Sequence, residues 1–180
     1  MAAMGEFVHE RHKPPYALPA TCELLLACPA LRSNVNLSRI VRVASCCGVR
    51  RMIACGRPKL DRKIARDGAE RVVIESHRTL PPVLRRLRDE GYHLVGLEQT
   101  TNSKCLYHFS FRPRTVLVIG HERQGLDADT LALLDDVVEI PVFGLPYSYN
   151  VATATAMALY EYCRQFAQDA WPPDGAGDDP

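Results

Sequence analysis

The sequence predicts an α/β fold: a mainly parallel sheet with helices on both faces. Three observations carry this. The strand candidates are short, nearly continuous apolar runs, which is the pattern of strands covered on both sides rather than half exposed. They alternate along the chain with segments of helical periodicity. Gly and Pro punctuate the boundaries, at Pro29, Gly48, Pro81 and Gly91.

Taken in order, residues 1–17 are polar and aperiodic, contain Pro14-Pro15, and read as a flexible arm. Residues 22–28 form an apolar run ended by Pro29 and read as a buried strand. Leu37, Ile40, Val41 and Ala44 share a helical face, with Asn36 as the N-cap and Gly48 as the stop. Residues 51–55 read as the next strand. A basic stretch leads to a short strand at 72–74. Pro81 sits in the first turn of a helix that runs to Gly91. A strand at 92–97 is followed by a polar loop, 98–103. Residues 116–119 are the plainest strand of the chain, and 127–134 an acid-capped helix. A strand at 137–142 precedes the last helix, from about Asn150 to Phe166, which is rich in small residues and has Ser148 or Asn150 as N-cap. The Pro/Gly/Asp-rich end reads as disordered. The expected organisation is thus an arm (1–17), one folded domain (18–168) and an acidic tail (169–180).

A chain of 180 residues is long enough for one domain with a proper core. No apolar run approaches a membrane span, and the N-terminus lacks the basic start and apolar core of a secretory signal. Seven cysteines, an odd count without a CxxC pair, fit thiols used as small core residues in a reducing, intracellular setting (cytoplasm first) rather than a disulfide framework or a metal site. The net charge is only +1, but residues 1–90 hold 17 Lys and Arg against nine Asp and Glu, a balance of +8, and residues 91–180 hold five against twelve, a balance of −7. Eight basic residues fall between Arg50 and Arg71. Such a run is either a solvated helix face or a phosphate-contacting surface.

Function is concentrated around residues 144–156, where a Gly- and Pro-containing loop joins a strand to a helix. Backbone N–H groups point outward at such an entrance and can take a ligand. In a parallel sheet, ligands bind at the carboxyl ends of the strands. The loops 34–36, 98–103, 120–125 and 144–150 all fall there.

Three stretches carry a family resemblance. In Asn34-Val35-Asn36-Leu37-Ser38-Arg39-Ile40-Val41-Arg42, Asn36 and Arg42 match the first motif, with Ser38 in place of the usual Gly. In Leu117-Val118-Ile119-Gly120-His121-Glu122-Arg123-Gln124-Gly125, Gly120, Glu122 and Gly125 match the second. In the third, Ile140, Pro141, Ser148 and Asn150 match, with Tyr149 where Leu is usual and Ala152 where Ser is common. In this order the set resembles the SpoU (TrmH-type) RNA ribose 2′-O-methyltransferases over about residues 22–166. Residues 91–100 look like the corresponding segment of eukaryotic tRNA guanosine-ribose methyltransferases.

The resemblance implies a C-terminal trefoil knot of the SPOUT type, S-adenosylmethionine as cofactor, and a homodimer in which both subunits contribute to each site. It implies methyl transfer to a ribose 2′-OH of RNA, tRNA first, with a D-loop guanosine as the first guess. It assigns catalysis to Arg42, Asn36, Glu122, Ser148 and Asn150. The cofactor falls to main chain around Gly120, Ile140 and Tyr149, with Thr100 at the adenine side. Arg11, His12 and Lys13 of the arm could touch RNA. Two other readings stand beside it: a catalytically silent RNA-binding or scaffold subunit of the same fold, and a dinucleotide-dependent oxidoreductase. The second lacks a G-x-G-x-x-G after the first strand.

Overall fold

A computed structural model describes Val8, His9 and residues 13–167. The predicted tail lies outside the described residues, as do Arg11 and His12 of the predicted arm. Seven strands, β1 (Glu23–Cys28), β2 (Arg51–Cys55), β3 (Val73–His77), β4 (His93–Leu97), β5 (Lys104–Cys105), β6 (Arg114–Ile119) and β7 (Asp136–Glu139), form one sheet in the order β3-β2-β1-β6-β4-β7-β5. All six pairings are parallel, so every strand's carboxyl end reaches the same edge.

Alternation along each strand feeds two cores. In β1, Leu24, Leu26 and Cys28 join one apolar cluster, while Leu25 and Ala27 join the other. In β6, Leu117 and Ile119 part from Val116 and Val118 in the same way. The first cluster is covered by α1 (Asn34–Cys46) and α6 (Val151–Phe166), and the second by α4 (Pro81–Asp89) through Val83, Leu84 and Leu87. A strand buried on both faces has no side left for polar residues, which is why the runs read as continuous.

Helix α6 is anchored at its far end. Fully buried Tyr162 donates its hydroxyl to Pro113 O and packs edge-on against Phe111. Gln165 holds the 109–111 segment at both of its polar atoms, donating to Phe109 O and accepting from Phe111 N.

Several boundaries differ from the sequence reading. α1 is capped by Ser33, whose hydroxyl accepts the Asn36 N–H at 3.2 Å; Asn36 lies inside the first turn with its side chain engaged elsewhere. The helix expected over 127–134 shrinks to α5 (Ala128–Leu131), because Leu133 and Leu134 turn in against the second core. Strand β7 ends at Glu139, two residues before Pro141, which has no N–H to offer a ladder. The two-residue β5 and the 3-10 turn Leu106–His108 are too short to show a period. The basic stretch folds into two single turns, α2 (Arg62–Ala65) and α3 (Gly68–Arg71), which pack on α1.

Two contacts fix that packing. Ser38, fully buried, donates to Asn34 O at 2.6 Å and accepts the Asp61 N–H at 2.8 Å, tying α1 to the cap of α2. Gly68 brings α3 against the α1 backbone: a Cβ there would meet Val41 O at 2.9 Å and Arg42 Cα at 3.1 Å. Backbone cannot give way as a flexible side chain can. Gly68→Ala is therefore expected to cost about 1–3 kcal/mol and lower the melting temperature by roughly 2–10 °C in a thermal scan, displacing α1 at Arg42.

Candidate active site

The loops after β4, β6 and β7 meet at the carboxyl edge around a cavity of about 260 Å³, and the loop after β1 joins them through Glu122. Its walls include Glu98, Gly120, Glu122, Ile140, Ser148 and Tyr149. Ile119, Val142 and Val151 add apolar surface, and His121 and Arg123 add polar atoms.

The 120–125 turn forms one wall. His121 and Gly125 exchange backbone hydrogen bonds, His121 N to Gly125 O at 2.9 Å and Gly125 N to His121 O at 3.0 Å. His121 Nδ1 also accepts the Arg123 N–H at 3.2 Å. Gly125 sits at φ +66°, in the left-handed region, and a Cβ on Gly120 would stand 2.8 Å from Gly125 Cα. Both positions therefore exclude a side chain, one by conformation and one by close approach.

Glu122 projects from this turn toward the start of α1. Its Oε2 accepts the Arg32 N–H and its Oε1 the Ser33 N–H, each at 3.0 Å. Asn36 Nδ2 donates to the same Oε1 at 3.4 Å. Burial, the largest single influence, pushes this carboxyl up. The N–H groups of Arg32, Ser33 and Glu122 itself, with Asn36, together outweigh it and hold the carboxyl below its ordinary range. The relay continues outward. Asn36 Oδ1 accepts from Asn150 Nδ2 at 3.3 Å, and Asn150 Oδ1 accepts the Ala152 N–H at 2.9 Å as N-cap of α6. Glu122, Asn36 and Asn150, far apart in the chain, thus form one hydrogen-bonded line beside the cavity.

The remaining sequence candidates divide. Gly120, Ile140, Ser148 and Tyr149 line the cavity. Thr100 lies one residue beyond it, in a turn closed by Ser103, whose hydroxyl donates to Thr100 O at 2.8 Å. Arg42 is exposed on α1 and is not among the lining residues. Its six-residue offset from Asn36 turns it well away from the Asn36 face of the helix. Sequence reasoning missed Ser33 and Glu98. For Glu98 the signal was its place at the start of the 98–103 loop, on the strand-end edge and inside the 91–100 resemblance, but it was given no role.

The wall chemistry suits a small cationic ligand with a flat apolar part. Glu98, Glu122 and Glu139 line the cavity with a surplus of negative charge over Arg123, and Ile140, Val142 and Tyr149 offer apolar surface. S-adenosylmethionine, which joins a planar adenine to a sulfonium, fits that donor set. Among the described residues no group of three or more His, Cys, Asp or Glu could hold a metal ion.

Residues 23–160 match the SpoU rRNA Methylase family. The chain is 39% identical over 82 residues to a tRNA (guanosine(18)-2′-O)-methyltransferase, TARBP1, of Mus musculus, a match covering 46% of this chain and 5% of that protein. It spans only a small part of that relative. The fold resembles the TrmH/SpoU tRNA modifying enzyme of A. aeolicus, with a TM-score of 0.77, 26% identity, and coverage of 82% and 77% of the two chains. It also resembles the SpoU methyltransferase AviRb from Streptomyces viridochromogenes in complex with the cofactor AdoMet, with a TM-score of 0.69, 28% identity, and coverage of 79% and 60%.

The geometry at Glu122 makes a pH-dependent prediction. A carboxylate held ionised by the fold contributes stability that is present at neutral pH and lost as pH falls below about 4.5. Glu122→Gln offers one acceptor where two backbone N–H groups need one each. It should lower stability by about 1–3 kcal/mol at pH 7 in denaturant titrations. The gap to the parent protein should narrow as the pH drops below that value; an equal gap at pH 7 and pH 3 would contradict the assignment.

Proposed function

The chain belongs to the SpoU rRNA Methylase family, and from that premise we propose that it transfers a methyl group from S-adenosylmethionine to a ribose 2′-OH of RNA, with tRNA as the first substrate and a D-loop guanosine as the first target. The observation that carries this is the line Glu122–Asn36–Asn150 beside a cavity bounded by the 120–125 turn and the 143–150 loop. The name of the mouse relative and the AdoMet complex of the AviRb enzyme support the substrate and the cofactor.

The cofactor, when bound, supplies an electrophilic methyl group on a positively charged sulfur. A ribose hydroxyl is a poor nucleophile at neutral pH and must pass its proton to solvent water as its oxygen takes the methyl group. Gly120, Ile140 and Tyr149 would hold the cofactor through main chain, with Thr100 near its adenine end. Ser148 and Asn150 would hold the loop and the target nucleotide. Glu122 fixes Asn36, and Asn36 in turn holds Asn150, so a carboxylate at the base of the line sets the pose of the groups at its end. Arg42 would orient the ribose and its phosphate and stabilise the developing alkoxide.

Arg42 is exposed and lies outside the cavity lining, which supports a homodimer in which a second copy completes each site. Phe143, Leu145, Tyr147 and Tyr160 add a large exposed apolar surface along the 143–150 loop and α6, the composition of an interface rather than of a solvated face. A trefoil knot at the C-terminal end, an arm before residue 18, a tail after 168 and an intracellular location complete the proposal. Among the described residues no helix is long and apolar enough to cross a membrane.

Titration calorimetry is expected to give one S-adenosylmethionine site per subunit; absence of binding at millimolar cofactor would remove the methyltransferase reading. Arg42→Ala should lower methyl transfer by roughly 100-fold or more while leaving cofactor affinity nearly intact. Arg39→Ala, on a neighbouring helix face, should matter much less. Full activity in Arg42→Ala would show that another residue carries the role.

The RNA contact is expected on the α1–α2 side, where Arg39, Arg57, Lys59, Arg62, Lys63 and Arg66 are exposed. Reversing Arg62, Lys63 and Arg66 to Glu should weaken RNA binding and reduce the salt slope by about one unit per lost phosphate contact. Unaltered affinity and slope would make this cluster a solvated face only.

A further inference from the structure

Strand β4 ends at Leu97, and the two residues after it reach different walls of the cavity. The Glu98 carboxylate accepts the Leu126 N–H at 3.0 Å through Oε2 and the Gln99 N–H at 3.0 Å through Oε1. That Oε2 lies against both glycines of the 120–125 turn: a Cβ on Gly120 would stand 3.0 Å from it, and one on Gly125 would overlap it. The adjacent Gln99 carboxamide donates to Tyr147 O at 3.3 Å, in the 143–150 loop. Both residues line the cavity.

We propose that Glu98 is a positioning residue of the cofactor cavity, holding the 120–125 turn where its backbone meets the ligand, with Gln99 as a weaker tie to the 143–150 loop. The assignment rests on the methyltransferase reading for the identity of the ligand, but not for the contact itself. The turn grips a ligand through its main chain, so its position, more than its side chains, sets affinity. Two features make Glu98 suited to set that position. Glu98 follows directly on β4, an interior strand of the sheet, and so ties an exposed turn to the rigid core. Its two oxygens answer two backbone donors. A carboxylate accepts at both oxygens, whereas an amide would turn an NH2 toward one of the two N–H groups. The Leu126 bond is charge-assisted and part-buried, whereas the Gln99 bond is neutral and exposed, so the first outweighs the second. Glycine at 125 serves the same contact, since any side chain there would expel the carboxylate.

The test compares Glu98→Gln, Glu98→Asp and Gln99→Ala with the parent protein. Affinities for S-adenosylmethionine and S-adenosylhomocysteine are measured by calorimetry, the Leu126 amide by hydrogen exchange, and stability by thermal melting. Glu98→Gln should speed Leu126 exchange and weaken both ligands by roughly 10- to 100-fold. In turnover, the rise in cofactor KM should exceed the fall in kcat. Gln99→Ala should weaken binding by less than about 10-fold. Parent-like affinity and parent-like Leu126 protection in Glu98→Gln would overturn the proposal, as would a lowered melting temperature with parent-like affinity, which marks a purely structural residue. Should Glu98→Gln fail to fold, Glu98→Asp, one methylene too short to reach Leu126, carries the same readouts. If the parent protein binds no S-adenosylmethionine, the methyltransferase reading falls, while Leu126 exchange still decides: faster exchange in Glu98→Gln keeps the positioning role, and unchanged exchange removes it.

Discussion

The Glu122 carboxylate closes the gap between the loop after β1 and the loop after β6. Neighbouring parallel strands, β1 and β6, bring these loops to one edge, but they do not join them. The amides of Arg32 and Ser33 would otherwise be free donors at the entrance to α1, where the first turn leaves N–H groups without partners. Glu122 satisfies them and, at its Oε1, also takes the Asn36 side chain. The start of α1, the 120–125 turn and, through Asn36, the cap of α6 become one unit. An unpaired carboxylate at this half-buried place would be costly, and unpaired amides nearly as much, so each half of the contact stabilises the other.

Helix α1 consequently has two functional faces at different depths. Its first turn belongs to the Glu122 line. Two turns on, its exposed face presents Arg39 and Arg42, and its buried Ser38 holds the cap of α2. Ser38 stands where the family resemblance leads one to expect Gly. Its hydroxyl has a structural use here: it ties the cap of the basic turn α2 to the helix that carries Arg42. Gly68 brings α3 against the same face of the helix about one turn on. The basic run and the site are therefore mechanically linked, although they share no side-chain contact with the cavity.

The cavity walls are held at several points along their height. The 120–125 turn is secured by Glu122 from one side and Glu98 from the other, and the 143–150 loop by the Asn150 cap and by Gln99. The aromatic and aliphatic side chains of that loop remain exposed. A site whose backbone is fixed while its apolar surface is uncovered fits one completed by another molecule.

Much of this was legible in the sequence. Burial on both faces forces continuous apolar strands, and those runs, alternating with helices, were sufficient for a parallel sheet and for the edge where its ligand site must lie. Gly120 and Gly125 entered through the family resemblance and Asn150 as one of two candidate caps, and the structure gives each a turn or cap that admits few residue types. Other features depended on the tertiary structure. That Ser33 rather than Asn36 caps α1 follows from Asn36 being engaged by Glu122, a partner 86 positions away. Glu98 looked like any polar loop residue until the fold set its oxygens against Leu126 and two glycines. The two-residue β5 exists only because β7 offers it an edge. Periodicity and turn chemistry are local and survive in one dimension. A hydrogen bond between distant loops has no local signature, because either partner alone is an ordinary polar residue, and only the folded chain decides which of them meet.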